Sequence, residues 1–189
     1  MGVRLVVVGA SWGGLRALNI LLEGLPASFG PPVAIVQHRR PTRHASLAGA
    51  LAKHCALPVV EPTDKEAIEP GRVYVAPADY HLLVGDGRFV LSIDEPTTFS
   101  RPSIDELFES AAAGYGAGVV GVLLTGASED GANGLREIRR RGGIGIVQDP
   151  TTAERSTMPE AGIAAGGAHT VLPLDQIAPF LTELAPANA

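Results

Sequence analysis

Val3-Arg4-Leu5-Val6-Val7-Val8-Gly9-Ala10-Ser11-Trp12-Gly13 opens the chain with an apolar run that stops at a glycine turn. The run does not alternate apolar with polar residues. It therefore reads as a strand covered on both faces, the place of a central strand in a parallel sheet. Gly9 to Gly13 has the spacing G-x-S-x-G. Between a strand and a helix, that spacing reverses the chain sharply and projects the serine hydroxyl from the sheet edge. The next helix begins with unpaired backbone N–H groups, which can stabilise a negative oxygen. Ser11 is thus a candidate nucleophile.

Outward from this turn, apolar β-branched runs alternate with helical stretches. Strands are expected over Arg4 to Gly9, Val33 to Gln37, Pro58 to Glu61, Arg72 to Ala76, Phe89 to Ile93, Val119 to Thr125 and Ile144 to Gln148. Helices are expected over Gly14 to Gly24, Ala45 to Cys55, Ser103 to Gly114, Gly131 to Arg141, Met158 to Ala165 and Leu174 to Leu184. The middle, Arg72 to Ile93, reads as a hairpin around the tight-turn sequence Gly85-Asp86-Gly87. The order points to an α/β fold, doubly wound, with a mostly parallel sheet and an antiparallel hairpin portion.

Composition narrows the function classes. At 189 residues, 46% apolar and 19% charged, the chain suits one compact domain with a sizeable core. A formal charge of -5 argues against nucleic acid as the main partner. The single cysteine, Cys55, excludes an internal disulfide and fits a reducing compartment. The short apolar opening is unlike a signal peptide. No run reaches the roughly twenty apolar residues of a membrane span. A cytoplasmic protein without membrane insertion is the expectation.

Ligands of such sheets bind beyond the carboxyl ends of the strands. Four reactive side chains follow strands there: Ser11, His38, Asp130 and Asp149. Histidine supplies a base that titrates near neutrality, and a carboxylate can orient its imidazole and stabilise the imidazolium. Each also has a plainer role. Ser11 could sit in a phosphate-binding loop, and Asp130 could cap the helix from Gly131. The glycines at 9, 13 and 14 do not form G-x-G-x-x-G, and His38 stands where a ribose-binding acid would. Periodicity does not choose between Asp130 and Asp149. A different order of parts, Ser–Asp–His, would make His169 the base. His54 and Cys55 are adjacent and face different sides of a helix, so no metal and no cofactor is expected. Ser103-Ile104-Asp105-Glu106 reads as a capping box. Arg139-Arg140-Arg141 reads as a cationic helix C-terminus.

Several blocks in one order resemble the catalytic domain of the chemotaxis protein-glutamate methylesterase (CheB) family. They are Val8-Gly9-Ala10-Ser11 with Gly13-Gly14, Val36-Gln37-His38, Arg101-Pro102-Ser103-Ile104-Asp105-Glu106-Leu107-Phe108, Leu124-Thr125-Gly126, Asp130-Gly131-Ala132 with Gly134, Gln148-Asp149 and Met158-Pro159. The likeness runs from about Leu5 to Leu181. It implies a Rossmann-like, mostly parallel sheet with the hairpin inserted, and a Ser–His–Asp triad with Ser11 as nucleophile, His38 as base and Asp130 as acid. It implies hydrolysis of glutamyl methyl esters on a chemoreceptor or related signalling protein, and in some members deamidation of receptor glutamines.

The family commonly carries a receiver domain, and nothing here corresponds to one. The expectation is a stand-alone catalytic domain over residues 1–184 with a frayed tail at 185–189, open to control by a separate response regulator. Three positions depart from the family pattern. Trp12 replaces a common threonine, Gly126-Ala127-Ser128 replaces Gly-Met-Gly, and Arg39-Arg40-Pro41 is more basic than usual. Trp12, Gly13 and Ala127 are the oxyanion and cleft candidates. The alternatives are a CheB-like binding module without turnover, a serine esterase of another substrate, and a nucleotide-binding domain.

Overall fold

The computed structural model describes residues 2–39, 46–97 and 99–185. Seven strands form one sheet: β1 (Leu5–Ala10), β2 (Val33–Gln37), β3 (Val59–Val60), β4 (Val73–Val75), β7 (Val119–Leu123), β8 (Ile144–Gln148) and β9 (Thr170–Leu172). Their order is β3-β4-β2-β1-β7-β8-β9 and every pairing is parallel. The remaining two, β5 (His81–Gly85) and β6 (Arg88–Ser92), form a separate antiparallel pair. The expected hairpin thus exists, but it is narrower than Arg72 to Ile93. Val73–Val75 belongs to the parallel sheet, and the antiparallel pair lies outside that sheet. Asp86 and Gly87 take φ of 49° and 73°, the paired positive values a two-residue type I′ turn needs.

The helices are α1 (Gly14–Glu23), α2 (Leu47–Leu51), α3 (Ile104–Tyr115), α4 (Ala132–Arg140), α5 (Thr157–Ala164) and α6 (Leu174–Leu184). Expected and observed helices agree except near α2, where the chain turns into a short 3₁₀ segment at Ala52–His54. Ala45 of that expectation, with Arg40 and Pro41, lies outside the described residues. So do residues 186–189 of the expected frayed tail, while Ala185 is placed and buried.

Period-two alternation divides the buried strands between two cores. Val6, Val8, Val33 and Ile35 face α1 and α6 through Leu18, Leu22, Ile177 and Leu181. Leu5, Val7, Ala34 and Val36 face α3 and α4 through Leu107, Phe108, Leu135 and Ile138. The hairpin lies on this second face, sending Leu82, Val84 and Phe89 into the same cluster. Both faces being covered explains why the strands read as unbroken apolar runs.

From β1 the chain steps to β2 on one side, and later returns through β7 on the other. The carboxyl ends of β1, β2 and β7 therefore border one switch-point crevice.

Candidate active site

Ser11 follows β1 directly and is anchored from both neighbouring strands. Its N–H donates to Thr125 O after β7 at 3.0 Å. His38 N–H donates to Ala10 O at 3.0 Å, so the residue after β2 lies alongside the nucleophile turn. Gly14 N–H closes that turn onto Ser11 O at 2.9 Å. Gly13 has φ of 77°, and a Cβ there would come within 2.7 Å of Glu154 Cβ. Glycine is required on both counts. The Cα of Gly126 also packs on the serine, since a Cβ built at 126 would lie 2.9 Å from Ser11 Cβ.

His38 and Asp130 meet. The imidazole Nε2 lies 2.7 Å from Asp130 Oδ2, with the histidine side chain 12% exposed and the aspartate fully buried. The carboxylate is saturated with donors. Oδ2 also accepts from Ile104 N–H at 2.7 Å, and Oδ1 accepts from Ser103 Oγ at 2.9 Å and Asp105 N–H at 3.0 Å. These amides begin α3, so the acid sits on a helix N-terminus, where the dipole favours an anion. Burial alone would raise the Asp130 pKa. The bonds from His38, Ile104 N–H and Asp105 N–H outweigh it, and the pKa is lowered. An ionised carboxylate only accepts, so Nε2 of His38 donates to it, and in the neutral imidazole Nδ1 is the nitrogen that keeps a lone pair. Among the described residues no hydrogen bond joins Ser11 Oγ to His38. The structure therefore brings His38 and Asp130 together and sets Ser11 at the neighbouring strand end.

The oxyanion candidates divide by use. The N–H groups of Ser11, Gly14 and Gly126 are spent on Thr125 O, Ser11 O and Arg155 O. Those of Trp12, Gly13 and Ala127 have no partner among the described residues. The Trp12 indole is 57% exposed. It is held by Nε1 donating to Glu154 Oε1 at 2.9 Å and by the Arg155 guanidinium 5.4 Å from its ring centroid. A cleft of about 470 Å³ opens beside Ser11 between α1 (Leu15, Arg16, Asn19) and Glu154. Another cavity, about 510 Å³, lies at the amino edge of the sheet near Arg4, Pro32 and Tyr115, and holds none of the reactive side chains.

The other candidates lie elsewhere. Asp149 Oδ1 accepts from Thr151 N–H and Oγ1, both at 2.8 Å, which makes it the cap of its own turn. His169 N–H donates to Gly145 O near the start of β8, and its ring contacts Arg139 at 3.0 Å. That is the amino edge of the sheet, remote from Ser11. His54 pairs with Glu23. Among the described residues no group of three or more His, Cys, Asp or Glu side chains is placed to hold a metal ion.

Sequence reading missed three supporting residues. Ser103 was legible only as a capping residue; its hydroxyl accepts from Glu106 N–H at 3.4 Å and also donates to Asp130. Behind it, buried His81 accepts from Ser103 N–H through Nδ1 at 3.2 Å and donates through Nε2 to Glu95 O at 3.2 Å. Gln37 donates to both Ser11 O and His38 O. The one local signal for Gln37 was an amide closing an apolar run.

Known proteins resemble this chain in sequence and in fold. The sequence model of the family described as CheB methylesterase matches residues 6–181. The chain belongs to the CheB methylesterase family. A putative protein-glutamate methylesterase/protein-glutamine glutaminase of Leptospira interrogans is 44% identical over 185 residues, covering 97% of this chain and 96% of that protein. Protein-glutamate methylesterase/protein-glutamine glutaminase 2 of Anaeromyxobacter dehalogenans is 44% identical over 96% of this chain but 53% of its own length. The crystal structure of the Thermotoga maritima CheB methylesterase catalytic domain superposes with a TM-score of 0.92 at 35% identity, covering 98% of this chain and 100% of that one. A CheB-type fold, doubly wound with a separate antiparallel pair, is thus shared well beyond the motif residues. No helix among the described residues is long and apolar enough to cross a membrane.

Proposed function

We propose that this CheB-family chain is a serine hydrolase that removes methyl groups from glutamyl methyl esters of a chemoreceptor or related signalling protein. Ser11 is the nucleophile, His38 the base and Asp130 the acid. The observation that carries the reading is the 2.7 Å contact between His38 and a buried, donor-saturated Asp130 beside the Ser11 turn.

Ser11 Oγ attacks the ester carbonyl carbon while its proton passes to Nδ1 of His38. The oxyanion is held by free N–H groups of Trp12, Gly13 or Ala127. Collapse of the tetrahedral intermediate breaks the C–O bond, and His38 returns the proton to leaving methanol. Water then attacks the glutamyl-serine ester with His38 as base, freeing glutamate and Ser11. Glutamine would follow the same path and release ammonia. Ring rotation about the Asp130 contact, or arrival of substrate, closes the Ser11 to His38 hydrogen bond; such bonds are often long in empty sites. We assign the protein to the cytoplasm, where a separate response regulator could control it.

The test is methanol release from methylated receptor fragments, with Ser11→Ala as control. Turnover by the native chain that Ser11→Ala abolishes, with an unchanged melting temperature, is the expected result. Binding of the fragment without methanol release from the native chain would make it a binding module. Hydrolysis of simple esters alone would make it an esterase of another substrate.

A further inference from the structure

We infer that Gln37 is a positioning residue that sets the nucleophile and the base at a fixed separation. This rests on the proposed roles of Ser11 and His38, and it adds a third part to their geometry. Gln37 ends β2, and strand alternation turns its side chain to the α1 face, opposite to Val36. There it is 9% exposed. Its Nε2 donates to Ser11 O at 2.8 Å and to His38 O at 2.9 Å. One amide nitrogen thus ties the nucleophile turn to the residue that carries the imidazole. Ser11 O has a second donor, Gly14 N–H at 2.9 Å. His38 O has no other donor among the described residues.

The amide cannot be turned over. Its two acceptors are carbonyl oxygens, so exchanging the amide O and N would set oxygen against oxygen twice. Gln37 Oε1 is left buried and without a partner. A polar atom in that state costs stability that an apolar side chain would avoid. Oε1 also occupies the space above Gly14, where a Cβ would lie 1.9 Å from it. Residue 14 is held to glycine by the amide that fixes residues 11 and 38. A buried polar group kept at a cost, spanning two reacting residues and imposing glycine on a third, points to geometry as its use. A misplacement near 1 Å between reacting groups can cost on the order of 10²-fold in rate.

The test compares Gln37→Leu and Gln37→Glu with the native chain. Three quantities are read: the rate at which a fluorophosphonate probe labels Ser11, the kcat and KM for a methylated receptor fragment, and the melting temperature. Gln37→Leu keeps the volume and loses both bonds. Labelling and kcat should each fall by roughly ten-fold or more with KM changed less than about two-fold. In Gln37→Glu the carboxylate opposes two carbonyls, and protonation restores one donor. Its rate relative to the native chain, measured on folded protein, should therefore climb as pH falls from 8 to 5. If Gln37→Leu does not fold, that pH ratio decides alone.

Gln37→Leu labelling within two-fold of native, or a ratio for Gln37→Glu that is flat with pH, overturns the inference. A native chain that labels at Ser11 but releases no methanol from the fragment overturns the methylesterase reading, while the labelling rates still judge Gln37. Absence of labelling in the native chain overturns both.

Discussion

Asp130 and Asp105 cap each other's helices. Asp130, just before α4, accepts from Ile104 N–H and Asp105 N–H at the start of α3. Asp105, in the first turn of α3, accepts from Gly134 N–H in the first turn of α4 at 2.7 Å. The helices approach so closely there that a Cβ on Gly134 would lie 3.2 Å from Asp105 Cα. The position of the proposed acid is thus coupled to how α3 meets α4. The two carboxylates differ in charge economy: Asp130 is lowered in pKa, whereas Asp105 is raised by burial and then by the neighbouring Asp130 charge.

That difference makes Asp105 a site where neutralisation stabilises. A carboxyl whose pKa rises on folding favours the fold while protonated. That stability is complete below the unfolded value of about 3.9 and is lost as pH rises through the folded value. Asp105→Asn keeps an oxygen for Gly134 N–H and removes the charge. It should melt about 2–4 °C above the native chain at pH 7. The gain should vanish by about pH 3, where both side chains are neutral. Asp105→Ala loses the cap and should cost about 1 kcal/mol instead. Thermal melts across pH decide it; an Asp105→Asn gain that persists undiminished in acid would contradict the assignment.

Asp130→Asn should do the reverse. Both carboxylate oxygens accept two bonds, so whichever way an amide turns, its NH₂ faces two donors, one of them a fixed backbone N–H. We expect a loss of about 2–3 kcal/mol and a fall in kcat on the order of 10³ or more. The lowered native pKa gives the sign with pH. Its stability is present above about pH 3.9 and disappears as pH falls through the folded value. Denaturant titrations should therefore show the deficit of Asp130→Asn shrinking in acid. A deficit independent of pH would mean that the charge does not matter there.

These carboxylates mark where the sequence stopped being informative. The Leu5 to Gly13 stretch disclosed both a central strand and the tight turn that carries Ser11, because strand burial and turn chemistry are local properties. Gly85-Asp86-Gly87 disclosed a hairpin for the same reason. Sheet membership is not local: nothing in Arg72 to Ile93 says that Val73–Val75 pairs with β2 while His81–Gly85 pairs only with β6. The β9 strand, three residues with mixed burial at a sheet edge, has no periodicity to read. Asp130 and Asp149 both follow strands on the rim, and only contacts across 92 residues to His38 separate them. Ser103 reaches Asp130 27 residues away and Gln37 reaches Ser11 26 residues away, so motif spacing showed a cap and a strand end but not what each one touches.

Trp12 offers an optical report on the site. It is the only tryptophan of the chain. It stands exposed beside Ser11, pinned by Glu154 and Arg155. Fluorophosphonate labelling of Ser11 should shift its emission to shorter wavelength as solvent is displaced from the ring. Glu154→Gln removes the charge on the acceptor but keeps an oxygen for the indole N–H, and should cost less than about 1 kcal/mol. Trp12→Ala should raise KM for a methylated receptor fragment several-fold, since a preorganised aromatic edge supplies contact area at low entropic cost. Emission unaltered by labelling, together with an unchanged KM, would leave Trp12 as a latch for the Glu154 loop alone.

Gly126→Ala tests how tightly the loop after β7 frames Ser11. Gly126 is not among the glycines of positive φ, so alanine fits its backbone and only space is at issue. The new Cβ would lie 2.5 Å from Met158 Cε, 2.7 Å from its Sδ and 2.9 Å from Ser11 Cβ. The Met158 thioether end can rotate away. Ser11 Cβ cannot, because Ser11 N–H is bonded to Thr125 O and Ser11 O accepts from Gly14 N–H and Gln37 Nε2. Strain therefore falls on Ser11 more than on the core. Fluorophosphonate labelling should slow by on the order of 10²-fold, while the melting temperature drops by only about 2–6 °C. Labelling at the native rate alongside a large loss of stability would show that Met158 and the core absorb the methyl group, and that Gly126 does not shape the reactive turn.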